Sequence, residues 1–145
     1  MAEIAAAASV VGVVGFIGQV TQGCVYLTGL ISDIKDAPKE LQSIQKELEI
    51  IKNICDQLST LYINSKQLGA DPTPVLELCK EAIAGVHDEI SPTLRAFTKA
   101  SNDKSLKHSW NRLKAALGKS HTKEKVEKLS RAKDSLLAGQ GILSL

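Results

Sequence analysis

Between Glu3 and Asp33 the chain carries no charged residue, and this stretch, IAAAASVVGVVGFIGQVTQGCVYLTGLIS from Ile4 to Ser32, limits the possible folds more than any other. Read at helical period, one edge runs Val10, Val13, Ile17, Val20, Cys24, Leu27, Ile31, Ile34, an unbroken alternation of three and four. That spacing is the seam by which an amphipathic helix packs. The opposite edge, Gly12, Gly15, Gln19, Gln22, Tyr26, Gly29, Asp33, is weakly polar and uncharged until its end. A soluble helix ordinarily carries Lys and Glu on its outer face, because charge there costs nothing in water. In lipid each such charge would cost about 3 kcal/mol. Leaving charge out permits both environments.

Ala8, Gly12, Gly15 and Gly18 form a track of small residues, with Ala8 and Gly12 in small-xxx-small register. Such a track, a glycine zipper, lets helix backbones approach closely where lipid supplies no hydrophobic drive. Each interior Gly costs about 0.5–1 kcal/mol of helix stability against Ala, so several together call for a packing or functional reason. A constitutive single-pass anchor needs about 20 mainly apolar residues. The best window, Ile4 to Leu27, is interrupted by Ser9, Gln19, Thr21, Gln22 and its glycines. A secretory signal calls for basic residues ahead of the apolar run, and Met1-Ala2-Glu3 is acidic. Two readings stay open: a core helix of a soluble bundle, or a core helix that also leaves the bundle and inserts. On the second, the inserting and self-associating residues are Ala8, Gly12, Val13, Gly15, Phe16, Ile17, Gly18 and Val20.

The remaining 113 residues repeat the helical pattern. Asp36-Ala37-Pro38 is a start signal, with Asp36 as N-cap, Pro38 in the first turn and Glu40 favourably placed on the dipole. From there Leu41, Ile44, Leu48, Ile51, Cys55, Leu58 and Tyr62 alternate three and four, and Ile50, Ile54 and Leu61 widen the stripe. A stripe that wide suits burial among about four helices. Asn64 to Thr73 reads as a loop broken by Gly69 and Asp71-Pro72. Thr73 caps the next helix, which buries Leu76, Cys79, Ala82, Ile83, Val86 and Ile90; Leu94 and Phe97 keep the phase, so Pro92 kinks that helix rather than ending it. Residues 99–109 are loop-like at their start. Trp110, Leu113 and Leu117 then make a short helix, with Trp110 a wedge on the bundle's end or side. After Gly118-Lys119-Ser120, Thr122 caps a last helix with Val126, Leu129, Lys133, Leu136, Gln140 and Leu143 on its seam. Gly139 and Gly141 weaken its end, so the chain is expected to be a fragment of something longer.

With few aromatics and no run alternating at period two, the class is all-α. One domain over 1–145 is expected, a helical bundle of four main helices and one short helix, at about 4–34, 38–63, 74–99, 106–117 and 122–140.

Cys24, Cys55 and Cys79 each fall on an apolar stripe, which reads as buried, reduced thiols in a cytosolic protein. No CxxC or paired Cys/His spacing supports a zinc site, and His87, His108 and His121 are separate surface or rim histidines. No nucleophile motif, phosphate loop or carboxylate pair is present, so neither an enzyme nor a cofactor site is expected.

The net charge of +2 conceals a gradient. Residues 33–92 hold six basic and eleven acidic side chains, and residues 93–145 hold twelve basic and four acidic. The basic group Lys114, Lys119, Lys123, Lys125, Lys128, Arg131 and Lys133 is either a solvated helix face or a contact for an anionic partner. Nucleic acid is disfavoured, since no stacking platform or recognition motif accompanies the charge. Anionic lipid headgroups, worth about 1 kcal/mol per basic residue near the surface, fit better beside an uncharged insertable helix. The lipid-contact set is Lys119, Lys123, Lys125, Lys128 and Arg131.

Two groups of residues resemble a known family. Ala8-Ser9-Val10-Val11-Gly12 with Gly15, followed by Leu30-Ile31-Ser32-Asp33-Ile34-Lys35-Asp36-Ala37-Pro38-Lys39-Glu40, resembles the N-terminal helical domain of fungal NOD-like (STAND) receptors of the HeLo-like group. Trp110 with Leu113, then the Lys-rich helix ending Leu129 to Leu137, is similar to the last part of that domain. The resemblance implies a bundle at the front of a receptor that continues into a nucleotide-binding oligomerisation domain. Related bundles include the fungal HeLo domain of heterokaryon incompatibility, the executioner bundle of the mixed-lineage kinase domain-like pseudokinase, and coiled-coil domains of plant resistance proteins. In those, oligomerisation exposes an N-terminal helix or bundle face that reaches the membrane in programmed cell death.

By that resemblance the inserting element would be Ile4 to Leu27, with Gly12, Gly15 and Gly18 as its close-packing track. The partners would be other copies of the chain, anionic membrane lipid, and a NOD-like receptor or its downstream domains. The location would be cytoplasmic at rest and the plasma membrane on activation. Neither a downstream domain nor an amyloid-type motif stands among these 145 residues, so the trigger is not readable from them. The rival expectation is a soluble oligomerisation or adaptor bundle whose first helix never leaves the core.

Overall fold

Five helices carry the chain: α1 (Ala2–Ser32), α2 (Lys39–Ser65), α3 (Thr73–Lys99), α4 (Asp103–Gly118) and α5 (Ser120–Leu143). The computed structural model describes residues 2–34, 37–65, 72–99 and 103–143, with side-chain surroundings outside 2–10, 62, 64–65, 96–99, 103–110 and 139–143. No strand occurs among the described residues. The N-cap at Asp36, most of the loop up to Thr73, and the surroundings of Ala8, Tyr62, Phe97, His108, Trp110, Gln140 and Leu143 lie outside them.

The period-3.6 seams become the core. Val13, Ile17, Val20, Cys24, Leu27, Ile31 and Ile34 of the first segment are buried against Leu41, Ile44, Leu48, Ile51, Cys55 and Leu58 of α2 and Leu76, Cys79, Ile83, Val86, Ile90 and Leu94 of α3. α1 packs on α2 and α3, α2 on α5, and α3 on α5 and α4. The four long helices therefore form a ring in the order α1, α2, α5, α3, and α1 and α5 occupy diagonal corners. On α1 and α3 the pairs Gln19 with Lys80, Gly23 with Ile83 and Tyr26 with His87 run in the same direction, so these two neighbours are parallel. On α3 and α5 the pairs Cys79 with Ala132, Gly85 with Lys125 and Glu89 with His121 run in opposite directions, so the two helices are antiparallel.

Local chemistry explains the ends. α1 closes with Asp33 N–H on the Gly29 carbonyl (3.3 Å) and Ile34 N–H on Ile31 (3.0 Å), a tightened last turn before Pro38. α2 starts with Gln42, whose N–H reaches the Pro38 carbonyl at 3.0 Å and whose Nε2 donates to Ala37 at 2.8 Å. Pro92 is exposed and lies inside α3, which continues to Lys99, in keeping with the expected unbroken phase.

Several expectations need correction. α4 starts at Asp103, three residues ahead of the expected 106. Thr122 is not a cap but is buried within the first turn of α5, which begins at Ser120. Of the three residues expected to widen the α2 stripe, Ile54 is buried, whereas Ile50 and Leu61 are exposed, because α2 packs chiefly on α1 and α5.

Candidate functional site

The helix with the least charge also leaves its outer face uncovered. Val11, Gly15, Gly18, Gln22, Val25 and Gly29 are all exposed and recur at steps of four, three, four, three and four. They form a second packing seam, parallel to the buried one and pointing away from it. Val11 is 72% and Val25 50% exposed, with Tyr26 beside them at 48%. The span Val11–Ser32 is 22 residues of length and composition able to cross a membrane, and most of it is not buried in the bundle. At 1.5 Å per residue it is about 33 Å long, close to the thickness of a hydrocarbon core.

Its polar groups are quiet. Thr21 Oγ1 donates to the Ile17 carbonyl (2.9 Å), Thr28 Oγ1 to Cys24 (2.7 Å) and Ser32 Oγ to Thr28 (2.6 Å). These bonds to the carbonyl four residues back satisfy the hydroxyls inside the helix, so none needs water or a partner.

The eight expected insertion residues divide by face. Val13, Ile17 and Val20 face the core. Gly12, Gly15 and Gly18 face outward, and a Cβ added at any of them meets nothing within 4 Å. Phe16 is half-buried on the α3 side, beneath Lys80 Nζ at 5.4 Å from its ring centroid. Ala8 lies outside the described side chains. The glycines therefore leave open space instead of serving a contact within this bundle. Val11 and Val25 belong to the outer ridge and were not among the expected residues. Their signal was the second three-four alternation, offset from the core seam.

α3 supplies the polar clasps along the edge of α1. Lys80 Nζ donates to Gln19 Oε1 (3.3 Å), Arg95 donates to Tyr26 Oη (2.7 Å), and the His87 and Tyr26 rings lie 5.4 Å apart. Between the clasps is a small cleft of about 260 Å³ floored by Val20, Gly23, Ile83 and Ala84.

The basic residues divide as well. Lys125, Lys128 and Arg131 line a groove of about 510 Å³ between α3 and α5, whose apolar wall is Leu78, Ala82 and Ala132. Glu81 and Ser135 complete it. Gly85 makes room for Lys125, whose Cδ would stand 3.1 Å from a Cβ there. Arg131 is held by Glu127 at 2.7 Å. Lys119, at the break before α5, and Lys123 are exposed outside this groove. Lys133 belongs elsewhere: its Nζ pairs with Glu47 Oε2 on α2 at 2.9 Å, and that carboxylate raises the lysine's pKa.

Cys24, Cys55 and Cys79 are free and buried, one from each of α1, α2 and α3. Burial pushes the first two thiols up to about 12 and the third to about 11, so they are protonated and unreactive at neutral pH. Among the described residues no group of three or more His, Cys, Asp and Glu is placed to hold a metal ion.

No curated protein and no solved structure gives a significant match to the chain. Residues 7–133 match the family model of SesA, described as an N-terminal domain on NACHT NTPases and P-loop NTPases. The match spans all four long helices, and its description agrees with the expected place at the front of a STAND receptor, under the SesA name rather than HeLo. The chain thus belongs to the SesA family of N-terminal domains carried by NACHT and other P-loop NTPases.

Proposed function

We propose that this domain is an effector that self-associates when its receptor oligomerises, and that it acts on membrane through the uncharged outer face of α1. The observation that carries this reading is the exposed ridge from Val11 to Gly29, an unpartnered seam without a single charge on a helix of membrane-spanning length. Its hydroxyls are already satisfied and its glycines are open, so the ridge tolerates a second helix or lipid equally well. Anionic headgroups are the lipid partner that suits the basic flank of α5, where Lys119 and Lys123 point outward. Cell killing is the output proposed, with a cytoplasmic resting form and a membrane-bound active one. The domain acts without catalysis.

The buried seam sets a condition on this mechanism. Seven side chains of the α1 segment, from Val13 to Ile34, are core residues. At about 1.5–3 kcal/mol each, lifting them out costs on the order of 10–20 kcal/mol, as much as a whole domain's stability. α1 therefore leaves the bundle only if lipid or neighbouring copies receive that seam.

The same burial favours a second reading, a soluble adaptor in which α1 stays in place and the ridge binds only protein. Flotation of the chain with anionic liposomes, with and without a fused oligomerising tag, separates the two. Membrane association of the oligomer supports the first reading, and an oligomer that stays with the soluble fraction supports the second.

A further inference from the structure

The cations placed against α1 come from α3 and α2. On α3, Lys80, His87 and Arg95 recur at steps of seven and eight, about two helical turns each, so all three lie on the edge that meets α1. Lys80 Nζ donates to Gln19 Oε1 (3.3 Å) and Arg95 to Tyr26 Oη (2.7 Å), with the His87 ring against that of Tyr26. Lys52 flanks α1 from α2: burial dominates the Cys24 thiol, and the Lys52 charge acts on it in the opposite sense. The basic residues of α5 stand elsewhere, because α5 is diagonal to α1 in the ring. A membrane laid along the α1 ridge of the closed bundle therefore meets Lys52, Lys80 and Arg95 before it meets α5.

Between the Lys80 and Arg95 clasps lies the cleft of about 260 Å³, with an apolar floor and a rim of Gln19, Tyr26, Lys80 and His87. No carboxylate lines it among the described residues; Asp88 pairs with His87 at 3.4 Å but is 82% exposed and outside the lining. The hydrogen bonds give this rim a sign. Gln19 Oε1 and Tyr26 Oη are its acceptors, and each is already taken by a cation of α3. What the rim still offers is donors: the Gln19 amide, the Tyr26 hydroxyl proton and the other N–H groups of Lys80. Donors beside cations fit an anion rich in acceptor oxygens. The neighbourhood says which. Gln19, Gly23 and Tyr26 each stand one position on from Gly18, Gln22 and Val25 of the uncharged ridge, so the anion falls where lipid lying along that ridge carries its headgroup.

We infer that the cleft between α1 and α3 takes the headgroup phosphate of an anionic phospholipid, so that the closed bundle docks on membrane along this edge. The inference rests on the membrane action proposed above and names the lipid group and the side chains that receive it.

Cosedimentation with vesicles of phosphatidylcholine, alone or carrying phosphatidylglycerol, tests this. The unaltered chain should prefer the anionic vesicles. Lys80→Gln with Arg95→Gln removes two charges at exposed positions and should weaken that binding roughly tenfold, whereas Lys119→Gln with Lys123→Gln, at the α5 corner, should leave it near that of the unaltered chain. Ala84→Glu puts a carboxylate into the cleft, and Leu78→Glu puts one on the α5 side of the same helix. Both positions are exposed, so circular dichroism should show both variants folded, and the first should bind anionic vesicles roughly tenfold more weakly than the second. Equal losses at Ala84 and Leu78 would mean attraction by net charge alone and overturn the cleft. Equal binding of the unaltered chain to both kinds of vesicle would overturn it as well, leaving the ridge to act on lipid without a headgroup contact. Loss in the Lys119 and Lys123 variant with the Lys80 and Arg95 variant unaffected would return the headgroup contact to α5, with the proposed function still standing. If the unaltered chain, free or joined to an oligomerising tag, binds neither vesicle, the inference and the membrane action fail together.

Discussion

Gly23 on α1 lies so close to α3 that a Cβ there would stand 3.3 Å from Ile83 Cγ2, whereas a Cβ at Gly12, Gly15 or Gly18 would meet nothing. The glycines of one helix thus have two unlike roles. Gly23 allows α1 to seat against α3 in the resting bundle, and the outward glycines keep a ridge slim that this bundle does not use.

Substitution by leucine should separate those roles. Gly23→Leu overpacks the contact with Ile83 and is expected to destabilise by about 1–3 kcal/mol. Gly15→Leu and Gly18→Leu fill empty space and replace a poor helix former, so stability should stay level or rise by about 0.5–1 kcal/mol. Urea unfolding followed by circular dichroism measures all three, and equal losses at the three positions would contradict the assignment of faces.

Lys133 and Glu47 hold α5 to α2 through a pair whose side chains are 16% and 21% exposed. Glu47→Leu or Lys133→Met alone leaves the partner half-buried and should cost about 1–3 kcal/mol. Glu47→Leu with Lys133→Met should cost less than the two single changes added together. A double-mutant cycle reads the difference, and strict additivity would show that the pair is not coupled.

The three thiols predict a pH dependence. Their folded pKa values, about 12 for Cys24 and Cys55 and about 11 for Cys79, lie above the ordinary 9.0. The folded state therefore holds protons that the unfolded chain releases. The stability linked to them is complete below about pH 9 and is lost as pH rises from there toward 12. Denaturation midpoints should be flat in this respect between pH 7 and 8.5 and decline above 9 in the unaltered chain, and less so in Cys24→Ala.

Those thiols also report on α1. With an aromatic disulfide reagent at pH 8 all three should be silent in the resting protein, since each is fully buried. Reaction of Cys24 when the oligomerised chain meets liposomes would show α1 leaving its seat. Silence together with membrane damage would mean that the outer ridge acts without the helix leaving.

The core was legible from residues alone wherever apolar side chains repeat at three and four, as in Ile17 to Ile34 and Leu41 to Leu58. That periodicity fixes which side of a helix is buried, so Cys24, Cys55 and Cys79 were found inside as expected. What periodicity does not carry is which helices are neighbours. The split of Lys125, Lys128 and Arg131 from Lys119 and Lys123 needed the position of α3, and the exposure of Ile50 and Leu61 followed from α2 packing chiefly on α1 and α5. The start of α4 at Asp103 was not legible because Lys104 and Ser105 are polar in any conformation and say nothing of phase. The outer ridge was only half legible: its glycines stood out, while Val11 and Val25 were hidden by a stronger seam on the same helix.

Dye release from anionic liposomes tests the central claim most directly. The oligomerised chain should release dye. Gly15→Lys with Gly18→Lys, which places charge on the ridge but touches nothing in the bundle, should remain folded and release little or none. Release undiminished in that variant, or none from the unaltered oligomer, would contradict the account and leave a soluble adaptor in its place.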